Sequence, residues 1–210
     1  NLIDSSITVT FDYNDGTGKT KKRQVVVGEP YGSLPTPTRT GYTFKGWNGK
    51  NLFNLDSITY GARTLIQNNI IYFDGSDVEG NKTNSFQIQH YNNNSYIKIG
   101  YGLYNSSLSK VTYNFTKDDT VDKFLIKLNS SKADPYFSFV LDNLDNNKNY
   151  VFSCTFDNLD FNQVKATITN IQLEEGDTVT AYEPYYITSS TKVVQSANHT
   201  LKAIWEENET

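Results

Sequence analysis

Apolar and polar residues alternate along several short stretches of this chain, with the period of two that a half-buried β-strand requires. The first stretch covers residues 7–13 and is followed by a turn rich in Gly, Asn and Asp at residues 14–18. Residues 24–27 should return as its antiparallel partner, which predicts a β-hairpin. A third strand is predicted over residues 41–47, after a proline-rich crossover that allows little regular structure.

The central part of the chain carries the same alternation at a regular spacing. Asn, Asp, Ser and Gly separate the runs, as is typical of turns. The runs cover residues 86–91, 96–101, 111–115, 124–128, 136–141, 150–156 and 164–173. Short strands at this spacing predict an antiparallel β-sandwich, so the fold class predicted for the whole chain is mainly β.

Composition supports this fold class and limits the classes of partner that the protein is expected to bind. The chain has 15 Tyr and 12 Phe but no Met, which favours strands over helices. A net charge of -4 argues against nucleic acid as a partner. No stretch approaches the length of about 18 apolar residues that a membrane span needs. The single cysteine, Cys154, excludes an internal disulfide, and its place in an alternating aromatic run predicts a core position.

Five segments near the two chain ends occur in a recognisable order. They are Val-Thr-Phe at 9–11, Gly-Glu-Pro-Tyr-Gly at 28–32, Leu-Pro-Thr-Pro-Thr-Arg at 34–39, Gly-Tyr-Thr-Phe-Lys-Gly-Trp at 41–47 and His-Thr-Leu-Lys-Ala-Ile-Trp at 199–205. This order resembles the Listeria–Bacteroides repeat, the B-repeat of internalin-type bacterial surface proteins, over residues 7–48 and 191–206. The resemblance implies a small β-grasp-like domain, a bacterial cell-surface or secreted location, and core positions for Trp47 and Trp205.

The motif is interrupted after Trp47 and resumes near the end of the chain. We therefore predict a discontinuous β-grasp-like domain, residues 1–50 plus 186–210, that carries an inserted domain at residues 51–185. Insertion at a loop costs little when the ends of the insert lie close together. The edges of the insert, at 51–54, 169–176 and 182–185, resemble jelly-roll modules of the carbohydrate-binding type, which implies a jelly-roll sandwich.

Residues suited to catalysis are few. His90 shares a predicted strand face with Phe86 and Ile88, which favours a packed histidine, and His199 is expected in a turn with a structural role. Neither lies in a pattern typical of a catalytic triad. Neighbouring carboxylates on a strand point to opposite faces and cannot act on one bond. The sequence therefore predicts a protein that is not an enzyme, although an acid–base pair from distant strands stays open.

One segment of the chain has part of the pattern of a calcium-binding loop. Residues 145–149 resemble the opening of a calcium loop, but Tyr150 and Phe156 stand where the loop needs Gly and Glu. No cofactor is predicted. A structural calcium ion stays open as an alternative, without assigned ligands.

A sugar site combines an aromatic ring that stacks on a pyranose with amides and charged groups that pair with its hydroxyls. The best candidates lie on two predicted neighbouring strands, with a rim from a stretch that has no clear strand periodicity. The strand candidates are Gln87, Gln89, Tyr91, Tyr96 and Lys98, and the rim candidates are Tyr60 and Arg63. The alternative is an ordinary solvent-exposed sheet face, where Tyr and Gln are common.

These observations predict a non-catalytic module that binds a glycan, or another host or cell-wall surface component, through its inserted domain. The repeat would act as a spacer. Alternatives are a purely structural stalk and a protein-binding adhesin module without a sugar ligand. The absence of methionine predicts that the sequence is a piece of a longer precursor, so neighbouring domains are expected partners.

Overall fold

The computed structural model describes residues 5–75, 85–92, 95–102, 110–117, 122–129, 135–141, 144–160 and 165–210; for 85–92, 95–102, 122, 127–129 and 159–160 it describes the backbone only. The chain divides into two units, each with its own internal contacts. We call Asn1–Leu52 with Thr180–Thr210 the terminal unit, and Phe53–Val179 the central unit. Both are built from strands, which confirms the predicted mainly β fold class.

The terminal unit contains one four-stranded sheet. Its strands are β1 (Ser6–Asp12), β2 (Thr20–Val26), β3 (Tyr42–Asn48) and β14 (His199–Glu207), in the order β2-β1-β14-β3. The last strand lies parallel to β1 and antiparallel to β3. The sheet therefore combines three strands from the first 48 residues with one strand from near the end of the sequence. That last strand, β14, lies between β1 and β3.

Apolar residues from both chain segments form the core of this sheet. The buried residues are Val9, Phe11, Val25, Tyr31, Trp47, Ile187, Val193, Leu201 and Ala203. The ring of Trp47 lies 5.1 Å from that of Phe11, and its Nε1 donates a hydrogen bond of 2.8 Å to the carbonyl of Pro35. Trp205 packs partly buried against the same core and donates to the carbonyl of Tyr13 at 2.8 Å. The predicted core position is confirmed for Trp47, whereas Trp205 lies partly buried at the edge of that core.

In its described residues, the central unit contains ten strands and a short 3-10 turn at Leu55–Ser57. The strands are β4 (Thr59–Tyr60), β5 (Thr64–Gln67), β6 (Ile70–Asp74), β7 (Ser85–Asn92), β8 (Ser95–Gly102), β9 (Lys110–Thr116), β10 (Asp122–Asn129), β11 (Tyr136–Leu141), β12 (Asn149–Asp160) and β13 (Lys165–Glu175). They form two five-stranded sheets, ordered β4-β11-β10-β7-β8 and β5-β6-β13-β12-β9. Every strand pair recorded in these sheets is antiparallel.

Phenylalanine rings fill the space between the two sheets. Phe139 on β11 lies 5.1 Å from Phe124 on β10 and 5.5 Å from Phe152 on β12, measured between ring centroids. Phe53 covers the same cluster, 4.9 Å from Phe139. Since β11 and β12 belong to different sheets, these contacts define the sandwich packing that the strand rhythm predicts.

The hairpin of β5 and β6 was not predicted. Its turn consists of Asn68 and Asn69, whose φ angles of 54° and 62° lie in the left-handed region. Two such residues in succession form the tight turn that suits a two-residue hairpin. Asparagine adopts this conformation more readily than most residues. The Asn-Asn pair can therefore form the turn between two strands that are too short to show a clear alternating pattern in the sequence.

Cys154 lies in the core of the central unit, as predicted, with a side chain 1% exposed. Burial raises the pKa of its thiol, which disfavours the reactive thiolate. We expect a disulfide reagent to modify the folded protein at pH 8 much more slowly than the protein in denaturant, as followed by absorbance. Equal labelling rates in both conditions would show that the thiol is accessible.

Candidate ligand-binding groove

The backbone pairs several of the predicted sugar-binding residues. In the register of β7 and β8, Tyr91 lies opposite Tyr96 and Gln89 lies opposite Lys98. Directly opposed residues of an antiparallel pair belong to the same face of a sheet. Gln87 is separated from the next pair by a bulge. The side chains of all five residues lie outside the described part of the structure, so the polar-aromatic face stays a prediction.

The two predicted rim residues lie elsewhere. Tyr60 is on β4, at the sheet edge opposite β8, and four strand spacings of about 4.8 Å separate these two edges. Arg63 immediately precedes β5, which belongs to the other sheet. The structure therefore brings neither Tyr60 nor Arg63 together with the residues of β7 and β8. The strand order, which sequence periodicity does not reveal, separates them.

Arg63 instead lines a groove of about 480 Å³ on the outer side of β5, β6 and β13. Two rows of side chains cross these strands. In the first row, Leu65, Tyr72 and Thr167 lie opposite one another. Two residues further along, Asp74 pairs with Lys165, and its backbone N–H donates a 2.8 Å hydrogen bond to the carbonyl of Arg63.

Both rows face away from the core of the sandwich. The residues between them, Phe73 on β6 and Ala166 on β13, are 2% and 3% exposed and point to the core. Because successive side chains of a strand point to opposite faces, the residues on either side of these positions point outward. An aromatic and aliphatic row therefore runs beside a charged row on a single accessible surface.

The charged row holds a loose ion pair. Lys165 Nζ lies 3.8 Å from Asp74 Oδ1, and the two side chains are 41% and 60% exposed. Pairs this exposed contribute little to stability because water and salt screen them. The Lys165–Asp74 pair itself therefore adds little to the stability of the sheet.

Two backbone irregularities place polar residues at the rim of the groove. Arg63 has a φ of 63°, and Asn158 has a φ of 53° where the pairing of β12 with β13 shifts register. A β-bulge re-aims a side chain and ends regular pairing. It leaves the exposed amide of Asn158 beside the charged row. Sequence reasoning missed Tyr72, Asp74, Asn158 and Lys165 as site residues.

His199 differs from its predicted position. It is the first residue of β14 and not part of a turn. Its Nδ1 lies 2.8 Å from the carbonyl of Ala197, which can only accept, so Nδ1 carries the proton. Its Nε2 then accepts a 2.7 Å hydrogen bond from the hydroxyl of Tyr31. Both ring nitrogens are used within the terminal unit, which supports a structural role. The side chain of His90 lies outside the described residues.

In the segment at residues 145–149 that resembles a calcium loop, the cation beside the carboxylates is a lysine side chain. Lys148 Nζ lies 3.1 Å from Asp145 Oδ2 and 3.3 Å from Glu175 Oε1. Hydrogen bonds to these two carboxylates raise the pKa of Lys148. In the described part of the chain, no group of three or more His, Cys, Asp or Glu side chains is arranged to hold a metal ion.

One comparison with known proteins yields a match. Residues 8–72 match the family model of the Listeria-Bacteroides repeat domain. This range contains β1, β2 and β3 and continues into the central unit. No curated protein and no solved structure matches the chain. The repeat match suggests a module of a bacterial surface protein. Within the described residues, no helix has the length and hydrophobicity that crossing a membrane requires.

Proposed function

We propose that this chain is a non-catalytic, extracellular module of a bacterial surface protein, in which the central unit binds a glycan. The terminal unit is a repeat that acts as a spacer between neighbouring domains. The repeat match over residues 8–72 supports the class of protein. The groove on β5, β6 and β13 supports the ligand.

In this proposal the repeat is split by a jelly-roll domain. The position of β14 between β1 and β3 supports the split, because neither chain segment can complete the sheet alone. Hydrogen bonds also join the two segments close to the boundaries between the units. Asn48 Nδ2 donates to the carbonyl of Tyr185 at 2.8 Å, and Asn51 Nδ2 donates to that of Glu183 at 2.8 Å.

Tyr72 is the observation that carries the glycan proposal. Its partly exposed ring lies in the middle strand of the groove, beside Leu65 and Thr167, and the charged row lies next to it. An aromatic surface with hydrogen-bonding groups on one side is what a pyranose needs, since the sugar has an apolar face and a polar periphery.

The set of carboxylates supports a role without catalysis. Glycoside hydrolysis generally uses two carboxyl groups about 5–9.5 Å apart. Among the described residues that line the groove, Asp74 is the single carboxylate. Asp157, opposite Thr167 on β12, is exposed beside the groove but does not line it, so the described lining holds no second carboxylate, in keeping with the proposed non-catalytic role.

A glycan array of host and cell-wall saccharides, probed with the whole chain, tests this function. We expect binding to at least one saccharide, and at least about tenfold weaker binding for Tyr72→Ala, a loss of about 1.4 kcal/mol. Tyr60→Ala is the matched control, because Tyr60 is 52% exposed on the other sheet. Silence across the array would favour a structural stalk or a protein-binding module.

The polar-aromatic face predicted on β7 and β8 is a second candidate location for the bound glycan. The double variant Tyr91→Ala, Tyr96→Ala alters two directly opposed positions of that pair. If the groove is the site, this variant keeps its affinity for the glycan. If affinity falls here and not in Tyr72→Ala, the glycan binds at the β7–β8 face instead.

A further inference from the structure

We infer that the groove takes a neutral saccharide of at least two units, which lies across the strands with one ring on Tyr72 and the next on Leu65. This inference rests on the proposed glycan-binding function. It adds the charge class of the ligand, its minimum length and its direction on the sheet.

The groove carries no surplus of positive charge, because its cations already have partners. Lys165 Nζ lies 3.8 Å from Asp74 Oδ1, and the register of β12 and β13 places Asp160 opposite Lys165. Arg63 also has an interaction partner within the chain. The electrostatic attraction that would draw an anionic group of a saccharide to this surface is therefore missing.

Exposed carboxylates at the groove disfavour an acidic ligand. Asp74 lies two residues beyond Tyr72 on the same outward side of β6, which is about 7 Å along the strand. Asp157 is exposed opposite Thr167, one strand beyond the groove. A carboxylate on a sugar that covers Tyr72 would meet like charge from both aspartates, whereas a neutral saccharide avoids this repulsion.

The direction of the apolar row sets the minimum length of the ligand. Leu65 lies directly opposite Tyr72, so the two side chains are neighbours on one face of the sheet. Leu65 is 57% exposed, and it lies on the edge strand β5. Neighbouring strands are about 4.8 Å apart, which is close to the length of one pyranose unit in an extended chain. A saccharide that runs across the strands therefore places successive rings on Tyr72 and Leu65.

Uncharged polar groups complete the site. Thr167 lies opposite Tyr72 on the side away from Leu65, and the exposed Asn158 lines the same groove. A hydroxyl and an amide can each donate and accept hydrogen bonds, which suits the hydroxyl groups of a neutral sugar. The apolar faces of the rings and their hydroxyl edges are thus both matched without an ion pair.

Calorimetry on the whole chain tests the predicted length. The probes are cello-, manno- and N-acetylchito-oligosaccharides of one to four units. We expect the disaccharide of at least one series to bind at least tenfold more tightly than its monosaccharide, because it adds the contact of a second ring. Equal affinity of the two would overturn the arrangement with two rings and leave glycan binding in place.

The variant Leu65→Ser separates the two ring positions. It should weaken binding of the disaccharide at least fivefold and leave binding of the monosaccharide unchanged, because only the second ring covers this position. Val140→Ser is the matched control, since Val140 is 48% exposed on the other sheet. Thermal unfolding checks that both variants remain folded. A loss with both saccharides, or with neither, would contradict the position of the second ring.

The charge class is tested with matched acids. Each tetrasaccharide is compared with its C6-oxidised form, in which carboxylates replace the CH2OH groups. We expect the neutral form to bind at least threefold more tightly in 50 mM salt. The difference should shrink in 500 mM salt, where screening is stronger.

The outcomes separate this inference from the proposed function. Equal or tighter binding of the oxidised saccharides overturns the neutral class and leaves glycan binding in place. Binding of none of the saccharides, neutral or oxidised, overturns both.

Discussion

Replacing Trp47 with alanine is expected to lower the free energy of unfolding of the terminal unit by about 3–5 kcal/mol, the usual cost of truncating a buried Trp. The side chain is 1% exposed and contacts the rings of Phe11 and Phe44. Its loss also leaves the carbonyl of Pro35 without this donor. Denaturant titration followed by tryptophan fluorescence measures the change.

Fluorescence reports on the terminal unit alone, because both tryptophans of the chain belong to it. Trp205 remains as the reporter in the Trp47→Ala variant. The matched control is Lys45→Ala on the same strand, whose exposed ion pair with Glu206 contributes little. A loss below 1 kcal/mol for Trp47→Ala would contradict the core assigned to this sheet.

Replacing Glu183 with alanine should destabilise the same unit by about 2–4 kcal/mol, because two partly buried donors lose their acceptor. The carboxylate is fully buried and accepts hydrogen bonds from the backbone N–H of Lys50 at 2.9 Å and from Gln195 Nε2 at 3.2 Å. It lies against Gly49, where an added Cβ would clash with Glu183 Oε2. Glu183 therefore joins the end of the first segment to the start of the second.

Glu29→Ala is the control for this variant, since Glu29 is an exposed carboxylate of the same unit. Fluorescence-detected unfolding of Glu183→Gln should give an intermediate loss, because an amide keeps one acceptor oxygen but loses the charge. A stability of Glu183→Ala equal to that of the wild type would mean that the two segments do not depend on this carboxylate.

The strands of the terminal unit could be predicted closely from sequence. The alternation over residues 7–13 predicts the strand observed at Ser6–Asp12, and residues 41–47 predict that at Tyr42–Asn48. These strands bury one face and expose the other, so the chemical pattern records their conformation. The mainly β class and the burial of Cys154 follow from the same signal.

The hairpin of β5 and β6 shows where this signal becomes weak. The observed strands are four and five residues long, and their turn lacks glycine. The sequence Leu-Ile-Gln-Asn-Asn-Ile-Ile-Tyr does contain two short apolar runs around an Asn pair, which could have indicated a hairpin. Strands this short contain too few alternating positions for the apolar–polar pattern to identify them among polar neighbours.

The candidate site could not be predicted, because it depends on strand order. Lys165 and Asp74 are far apart in sequence, and they meet because β13 pairs with β6. Arg63 lines the groove, whereas the residues expected beside it lie on the other sheet. Local periodicity predicts the side of the sheet on which a side chain lies. It does not predict which strand pairs with the strand that carries the residue.

The location of the bound glycan is the most direct test of the proposed function. We would titrate the 15N-labelled chain with the best saccharide found on the array and record the backbone amide shifts. The account predicts the largest shifts in β5, β6 and β13, around Tyr72, Asp74 and Lys165. Saturable shifts confined to β7 and β8 or to the terminal unit, or no shifts at saturating saccharide, would contradict it.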